Sequence, residues 1–275
     1  MIIWISSYPK SGNTWVRAFL SSYFYSSDKI FNLDLINKIG EFPDHNILKK
    51  FMKDKDFHNL AEVSKNWIRV QEFINRKNKD TFLKTHSALC NINNNEFTNA
   101  QNTSALIYVV RDPRNVILSM CNHFSITQEE SFKIITNDRN IIYPQTDDGQ
   151  PIPLTFVGSW NNHYLSWKNY NFNKKIIIKY EDLITNSTKM FTKIIEFLNN
   201  NIEIKFNKER IFNSVDATKF INLKKQEDKY GFNMGQKNKF FHLGKENNWQ
   251  NLLDPKINEK IKKIFKLEMN DLGYI

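Results

Sequence analysis

The chain has 275 residues, 40% of them hydrophobic and 22 of them phenylalanine, which is enough to bury an aromatic core in one large domain or two small ones. Its formal net charge of +10 favours an anionic partner, nucleic acid or a phosphorylated small molecule, although charge runs are usually solvated surface. No apolar run approaches the roughly 20 residues of a membrane span, no leader pattern precedes the first strand, and two cysteines are too few for a disulfide framework. We therefore expect a cytoplasmic protein without a membrane partner.

The predicted elements begin with an apolar run at residues 2–7, which the pattern favours as a buried strand. An amphipathic helix is predicted over 13–25, and a mixed, mainly helical pattern follows from 26 to 80. Two further strands are predicted at 81–86 and 104–110. The second of them, SALIYVV, is apolar almost throughout, as expected for a central parallel strand that is covered on both faces.

The second half of the chain continues the alternation of helices and strands, which predicts an α/β fold with a parallel sheet. Ligands of such sheets sit beyond the carboxyl ends of the strands. No repeat or linker divides the chain, so we expect a single domain over residues 1–275. The remaining predicted elements are a helix that opens at Pro113, a loop over 137–154, a helix over 156–170, a strand over 174–183 that turns into a helix reaching about residue 200, an irregular polar region over 201–253, and an amphipathic helix over 254–274.

The loop after the first strand, SSYPKSGNT, has the outline of a phosphate-binding loop. A Walker A loop reads G-x-x-x-x-G-K-[ST]. Aligned on Gly12, this loop has Ser7 in place of the first glycine. Asn13 stands for the lysine and Thr14 for the final hydroxyl, while a lysine stands upstream as Lys10. Backbone N–H groups at a helix start can still bind an anion, whereas Mg-ATP chemistry is poorly supported; an ordinary strand-to-helix turn is the alternative.

Two motifs resemble signatures of one enzyme family. YPKSGNTW resembles the 5′-phosphosulfate loop of the cytosolic-type sulfotransferases, written YPKSGTTW. YVVRDPRNVILSMCNHF resembles their second signature, which begins Arg-[Asn/Asp]-Pro and has a serine eight residues after the arginine, here Arg111 and Ser119. The chain thus resembles a bacterial-like member of the family that uses 3′-phosphoadenosine 5′-phosphosulfate (PAPS). The resemblance implies a P-loop-like three-layer fold with a central parallel sheet flanked by helices, PAPS as co-substrate, and no metal.

The resemblance also implies roles at the donor site. Lys10 would lie beside the bridging oxygen and stabilise the charge that develops on the leaving phosphate. Arg111 would bind the 3′-phosphate as a planar fork, and Ser119 would add a hydroxyl; a surface ion pair of Arg111 with Asp112 or Asp182 is the alternative. The residues expected to donate to the 5′-phosphate are Ser11, Gly12, Asn13 and Thr14.

Adenine recognition is implied at three places in the sequence. Trp15 would stack on the base, with ordinary core packing as the alternative, and Tyr180 of KYEDL would contact it. NSVDATK resembles the family's adenine-side segment TSFxxMK, with Ser214 in place and an aliphatic Val215 where an aromatic residue is usual. We therefore expect an aromatic contact on one side of the base and an aliphatic one on the other.

The C-terminal motif departs from the family pattern Arg-Lys-Gly-x-x-Gly-x-Trp-Lys. Gly244 is kept, but the Arg-Lys pair is replaced by His242 and Leu243. Lys245 or Lys239 is then expected to supply charge for the 3′-phosphate. The family's dimer signature KxxxTVxxxE is not visible, so a monomer and a homodimer both stay open.

The acceptor must lose a proton, and LKTHSAL places His86 at the end of a strand, where the family has its catalytic base. Histidine suits this role because its ordinary pKa is near working pH; a structural histidine is the alternative. Lys84 precedes it by two residues and is expected to contact the transferred sulfuryl group, or else to be a solvated lysine.

The sequence therefore predicts a PAPS-dependent sulfotransferase that moves a sulfuryl group in line to a hydroxyl of a small molecule, with an amine as the second choice. The alternatives are a P-loop-type phosphotransferase and a non-catalytic basic protein that binds nucleotide or nucleic acid. We expect no nucleic-acid partner, because the lysines are diffuse rather than interleaved with aromatics along one face. The acceptor pocket is expected in 26–80 and 125–155, with Phe24, Tyr25, Phe124, Tyr143 and Phe156 as candidate lining residues.

Overall fold

A computed structural model describes the chain over residues 1–26, 31–142, 152–232, 239–241 and 248–275. Its centre is a sheet of five strands in the order β2–β3–β1–β6–β9, and every neighbouring pair in this sheet is parallel. Two short antiparallel pairs, β4–β5 and β7–β8, lie outside it. In chain order the strands are β1 (Ile2–Ser7), β2 (Gly40–Glu41), β3 (Thr81–Thr85), β4 (Asn91–Ile92), β5 (Asn95–Glu96), β6 (Thr103–Val110), β7 (Ile141–Ile142), β8 (Thr155–Phe156) and β9 (Lys175–Lys179).

Helices connect the strands and cover both faces of the sheet. None of them, within the described ranges, has the length and apolar character to traverse a bilayer. Short 3₁₀ helices lie at Leu33–Lys38 and Asp54–His58. The α-helices are α1 (Asn13–Tyr25), α2 (His45–Leu48), α3 (Leu60–Ser64), α4 (Trp67–Asn75), α5 (Pro113–Phe124), α6 (Gln128–Ile135), α7 (Trp160–Lys168), α8 (Tyr180–Thr185), α9 (Ser187–Ile202), α10 (Lys208–Ala217), α11 (Phe220–Tyr230), α12 (Trp249–Leu252), α13 (Pro255–Ile264) and α14 (Lys266–Asp271).

The three layers follow from the alternation of side chains along the buried strands. In β1, Ile2 and Trp4 enter the apolar cluster on one face of the sheet, and Ile3 and Ile5 enter the cluster on the other. The first cluster includes side chains of α4, α5, α7 and α13, whereas the second includes those of α1, α9 and α10. The predicted α/β fold with a parallel central sheet between helical layers is therefore confirmed.

Four strands of the central sheet and the first helix were predicted closely, whereas β2 and the strands of the two antiparallel pairs were not predicted. The prediction that 201–253 is irregular is wrong, since α10, α11 and α12 lie within it. The apolar stripe of α10 is short: Ile211, Ser214 and Val215 are its buried residues, and the rest of the helix is mostly polar. So narrow an apolar stripe gives only a weak helical periodicity in the sequence, and the helix is evident only from its packing against α1 and α9.

Three boundaries also differ from the predicted ones. The helix predicted over 156–170 begins at Trp160, because Phe156 pairs with β7 and Gly158 has a positive φ of 68°. The helix predicted to run from the 174–183 strand to about residue 200 is broken at Asn186, which caps α9 with its side chain. The helix predicted over 254–274 is likewise two helices that meet at Phe265.

Candidate active site

A cavity of about 270 Å³ lies at the carboxyl ends of the parallel strands. One side of it, the strand-end wall, is formed by residues that follow β1, β3 and β6, namely Pro9, Lys10, residues 12–15, His86 and Arg111. The opposite side, the aromatic wall, is formed by Phe220, Leu223, Phe240 and Phe241. Four cations line the cavity, and none of the described lining residues is Asp or Glu, so the site suits an anionic ligand. The cations are Lys10, Arg17, Lys84 and Arg111.

The loop after β1 has the backbone shape of an anion cradle. Lys10 and Gly12 both have positive φ, 66° and 100°. A Cβ on Gly12 would lie 2.3 Å from the ring of Tyr180, so only glycine fits there. No side chain caps the following helix α1, and the buried Ser11 Oγ has no partner among the described residues. The backbone N–H groups at this open helix start can donate to an anion.

Asn13, which stands where a Walker A loop has its lysine, is turned toward the sheet. Its amide Nδ2 donates to the carbonyl oxygen of Ile5 at 3.0 Å and lies 3.4 Å from Ser7 Oγ. The side chain therefore fixes the start of α1 to β1. What Asn13 and Thr14 offer a ligand at the open helix start is their backbone N–H groups.

Lys10 is the cation at which the two walls meet. Its Nζ lies 4.2 Å from the centre of the Phe240 ring. Burial, followed by the charge of the neighbouring Arg111, lowers the pKa of Lys10 to about 7, although Glu227 opposes the shift. A bound anion at this point would favour the protonated lysine.

Arg111 lies beneath the loop, and only 5% of its surface is exposed. Its Nη1 donates to the carbonyl oxygen of Lys10 at 3.0 Å, and its guanidinium lies 4.3 Å from the centre of the Tyr180 ring. Its Nε has no partner among the described residues. The alternative of an ion pair with Asp112 is not observed, since that carboxylate pairs with Arg114 at 2.6 Å.

His86 directly follows β3 and lines the same cavity. Its Nδ1 lies 2.8 Å from the carbonyl oxygen of Ser7. A carbonyl can only accept, so Nδ1 carries the proton and Nε2 keeps its lone pair. Burial, followed by the charge of Lys84, lowers the pKa of His86 well below its ordinary value. The imidazole is therefore neutral near pH 7, which is the form that a base requires.

Lys84 and Ser119 also line the cavity. Lys84 Nζ forms an ion pair with Glu41 at 2.7 Å and is mostly buried. Ser119 enters from α5, whose first turn is fixed by the side chain of Asp112 accepting from the Arg114 N–H. The structure thus brings the sequence-predicted Lys10, Lys84, His86, Arg111 and Ser119 to one place.

Two of the predicted adenine contacts, Trp15 and Tyr180, line the cavity, whereas Ser214 does not. Trp15 lines the cavity, donates from Nε1 to the Thr218 carbonyl oxygen at 2.8 Å, and packs edge-on against Tyr180, which also lines it. Ser214 does not line this cavity; it borders a separate surface cleft beside α10.

The C-terminal part of the predicted donor site is mostly outside the described residues. Lys239 is described and forms an ion pair with Asp228. The predicted residues that lie outside the described ranges are His242, Leu243, Gly244 and Lys245.

Sequence analysis did not single out Arg17 and Glu227. Arg17 lies four residues after Asn13 on α1, so helical periodicity places it on the same face. Glu227 carries no such signal, because it accepts from the backbone N–H groups of Phe240 and Phe241, at 2.6 and 2.8 Å, only after the chain has folded back. Of the aromatic acceptor candidates, Phe124 lines the cavity, Phe24, Tyr25 and Phe156 do not, and Tyr143 lies outside the described residues.

A parallel sheet, an open helix start after the first strand and converging cations together define an α/β protein that binds an anionic ligand at its strand ends. The sulfotransferase domain family matches residues 2–273, and the chain belongs to that family. It is similar to cytosolic sulfotransferase 5 of Arabidopsis thaliana, at 23% identity over 98% of this chain and 80% of that protein.

Solved structures share the fold at lower identity. Mouse sulfotransferase SULT7A1 complexed with PAP matches with a TM-score of 0.63 and 21% identity, over 97% of this chain and 84% of that chain. Retinol dehydratase in complex with androsterone and PAP matches with a TM-score of 0.61 and 15% identity, over 98% of this chain and 81% of that chain. The family match favours the predicted sulfotransferase over the phosphotransferase and the nucleic-acid-binding alternatives.

Proposed function

We propose that the chain acts as one domain over residues 1–275 and transfers a sulfuryl group from PAPS to a hydroxyl of a small molecule. The observation that carries this proposal is the meeting of Lys10, Arg111 and His86 at one cavity, each from a different strand end. The family match over residues 2–273 supports it. A sulfotransferase needs an anion site, a group that stabilises the leaving phosphate and a base, and these three residues offer each of them.

The donor suits the polar atoms that the fold leaves without partners. Ser11 Oγ and Arg111 Nε are buried, and neither has a partner among the described residues. Such atoms cost free energy unless a ligand meets them. We assign the start of α1 to the 5′-phosphate and Arg111 to the 3′-phosphate, with Trp15 and Tyr180 beside the adenine.

Sulfuryl transfer requires little covalent chemistry from the protein. A sulfuryl group in flight resembles a phosphoryl group, so positioning and charge stabilisation dominate. The acceptor oxygen forms a bond to sulfur while the bond from sulfur to the phosphate oxygen breaks. Lys10 stabilises the negative charge left on the phosphate. His86 Nε2 takes the proton of the acceptor hydroxyl, because Nδ1 is occupied by the Ser7 carbonyl oxygen.

The acceptor is expected at the part of the cavity lined by Leu118, Phe124 and Ile142, since His86 lines the same cavity. These side chains favour a small organic molecule with an apolar body. Retinol dehydratase, which shares the fold, has been solved with retinol and with androsterone. Both are apolar alcohols, which supports a hydroxyl acceptor of this general kind.

The test is transfer of labelled sulfate from PAPS to water and to a panel of phenols, alcohols and amines, together with calorimetric binding of PAP. We expect PAP to bind and label to appear in at least one hydroxyl acceptor. A chain that neither binds PAP nor consumes PAPS would overturn the proposal. Transfer to amines alone would contradict the hydroxyl assignment and leave the donor assignment standing.

A further inference from the structure

Helix α7 lies behind the strand-end wall, and its side chains hold the backbone of that wall. Trp160 Nε1 donates to the carbonyl oxygen of Arg111 at 3.1 Å. His163 Nε2 lies 3.2 Å from the carbonyl oxygen of His86. Trp167 Nε1 donates to the carbonyl oxygen of the next residue, Ser87, at 2.9 Å. One helix thus contacts the backbone of both the predicted base and the predicted phosphate-binding arginine.

The three residues lie on one face of α7. They are spaced by three and four positions, which places their side chains above one another on a helix. Trp160, His163 and Trp167 are exposed by 1%, 0% and 0%. A buried polar group on such a face must have a partner, and here the partners are the carbonyl oxygens of Arg111 and His86 in the strand-end wall and of the adjoining Ser87.

The tautomer of His163 follows from its two partners. The carbonyl oxygen of His86 can only accept, so His163 Nε2 carries the proton. Its Nδ1 therefore accepts from the hydroxyl of Tyr108, at 2.8 Å. Tyr108 lies on β6 and is 1% exposed. Burial lowers the pKa of His163 to about 3, so it stays neutral and keeps this arrangement at physiological pH.

We propose that His163 is a positioning residue for the base: the chain of hydrogen bonds from Tyr108 through His163 to the His86 carbonyl oxygen fixes the backbone of His86 while Ser7 fixes its ring. The proposal rests on the proposed role of His86. Because both the backbone and the ring of His86 are then fixed, its Nε2 is held in one orientation. Misplacement of a reacting group by about 1 Å can cost on the order of 10²-fold in rate.

Two amide substitutions separate this role from a merely structural one. In His163→Gln the side-chain amide reaches the place of Nε2, so a donor to the His86 carbonyl oxygen is kept. In His163→Asn the shorter amide reaches only the place of Nδ1, so the Tyr108 partner is kept and the His86 partner is lost. Tyr164→Phe is the matched control, since it removes a hydrogen bond to Asp271 from the same helix.

The measurements are kcat and KM with labelled PAPS and the acceptor from the panel, water included, that wild type turns over fastest, together with the Kd of PAP. For His163→Asn we expect kcat to fall by about 10- to 100-fold with the Kd of PAP within about twofold of wild type. His163→Gln should lie within about threefold of wild type in kcat. Tyr108→Phe removes a single oxygen and preserves packing, and it should reduce kcat by about 3- to 10-fold. It replaces the Asn variant in the test if that variant does not fold.

A double-mutant cycle with His86→Ala distinguishes failure of the positioning role of His163 from failure of the proposed function. We expect His163→Asn to cause no further loss of kcat in the His86→Ala background. Equal losses in both backgrounds, or equal kcat for the Asn and Gln variants, would overturn the positioning role alone. Wild-type kcat in His86→Ala would instead overturn the role of His86 as base, and the proposal with it.

Discussion

The strand-end wall and the aromatic wall face each other across one cavity but are built differently. The strand-end wall follows buried parallel strands, and two of its side chains are hydrogen-bonded to neighbouring backbone, His86 to Ser7 and Arg111 to Lys10. The aromatic wall comes from α11 and residues 239–241, and the backbone of this second part is bonded to the carboxylate of Glu227.

The difference indicates a division of labour. Groups that must hold a charge or a proton in one place lie where parallel strands fix the backbone. The rings of the aromatic wall offer apolar cover, and Phe240 lies against the cation that the donor would use. Changes in the strand-end wall should therefore alter catalysis far more than changes in the support of the aromatic wall.

The largest expected effect is that of His86→Ala on the strand-end wall. Loss of a general base should reduce kcat by on the order of 10²- to 10⁴-fold, while the Kd of PAP stays near that of wild type, because none of the proposed contacts to PAP involves His86. Steady-state kinetics and calorimetry measure the two quantities. His58→Ala, at an exposed histidine, is the control; an unchanged kcat in the His86 variant would contradict the assignment.

Lys10→Met should come next. Removing one charge that meets the leaving phosphate should reduce kcat by on the order of 10²- to 10³-fold. The unbranched methionine keeps the contact with Phe240, so the aromatic wall stays in place. Single-turnover transfer from labelled PAPS measures the effect, with Lys53→Met at an exposed lysine as the control. A loss in PAP affinity without a loss in the transfer rate would contradict this role of Lys10.

Arg111→Ala should act on binding rather than on the proton transfer. Loss of charge-assisted hydrogen bonds to the 3′-phosphate should raise the Kd of PAP by about 10- to 100-fold. Arg111→Lys keeps the charge without the planar fork, so its Kd of PAP should lie between those of wild type and the Ala variant. Comparison of PAP with adenosine 5′-phosphate sharpens the test: the difference in Kd between the two ligands should be smaller in the Ala variant than in wild type. A Kd of PAP equal to that of wild type would remove Arg111 from the 3′-phosphate site.

PAP binding should depend on pH through Lys10, whose pKa is about 7 in the ligand-free protein. An anion favours the protonated lysine, so its pKa is higher in the complex than in the free protein. Affinity is then fully present below about pH 7 and declines above it, by up to about tenfold per pH unit, with uptake of a proton on binding. Calorimetry at pH 8 in buffers of different ionisation enthalpy measures this uptake, which Lys10→Met should abolish.

Glu227→Gln tests the aromatic wall and should have the smallest effect on catalysis. The amide has one acceptor oxygen instead of two, so a backbone N–H of residues 240–241 loses its partner and this segment opens more often. Hydrogen exchange at those amides should rise by roughly 10-fold, while kcat stays within about twofold of wild type. A loss of kcat comparable to that of Lys10→Met would show that the two walls do not divide the work as proposed.

Prediction from the sequence succeeded for elements whose own residue pattern indicates their secondary structure. The strand at 2–7, the helix at 13–25 and the helix that opens at Pro113 have the predicted bounds, because a buried strand, an amphipathic stripe and a Pro start are local patterns. It failed for α10 and α11, whose narrow apolar stripes gain meaning only against neighbouring elements. The hydrogen bonds between Glu227 and residues 240–241 join positions 13 and 14 apart in the sequence, and no local pattern indicates them.

The sequence by itself determined the loop YPKSGNTW, its helix and the strand end that carries His86, because each depends on neighbouring residues and on residue types that few other loops combine. Only the tertiary structure decided which atoms of those residues are available. The Ser7 carbonyl oxygen contacts Nδ1 of His86 rather than Nε2, and Arg114 rather than Arg111 pairs with the carboxylate of Asp112. Hydrogen-bond partners far apart in the chain set these states, since burial obliges each polar group to find one.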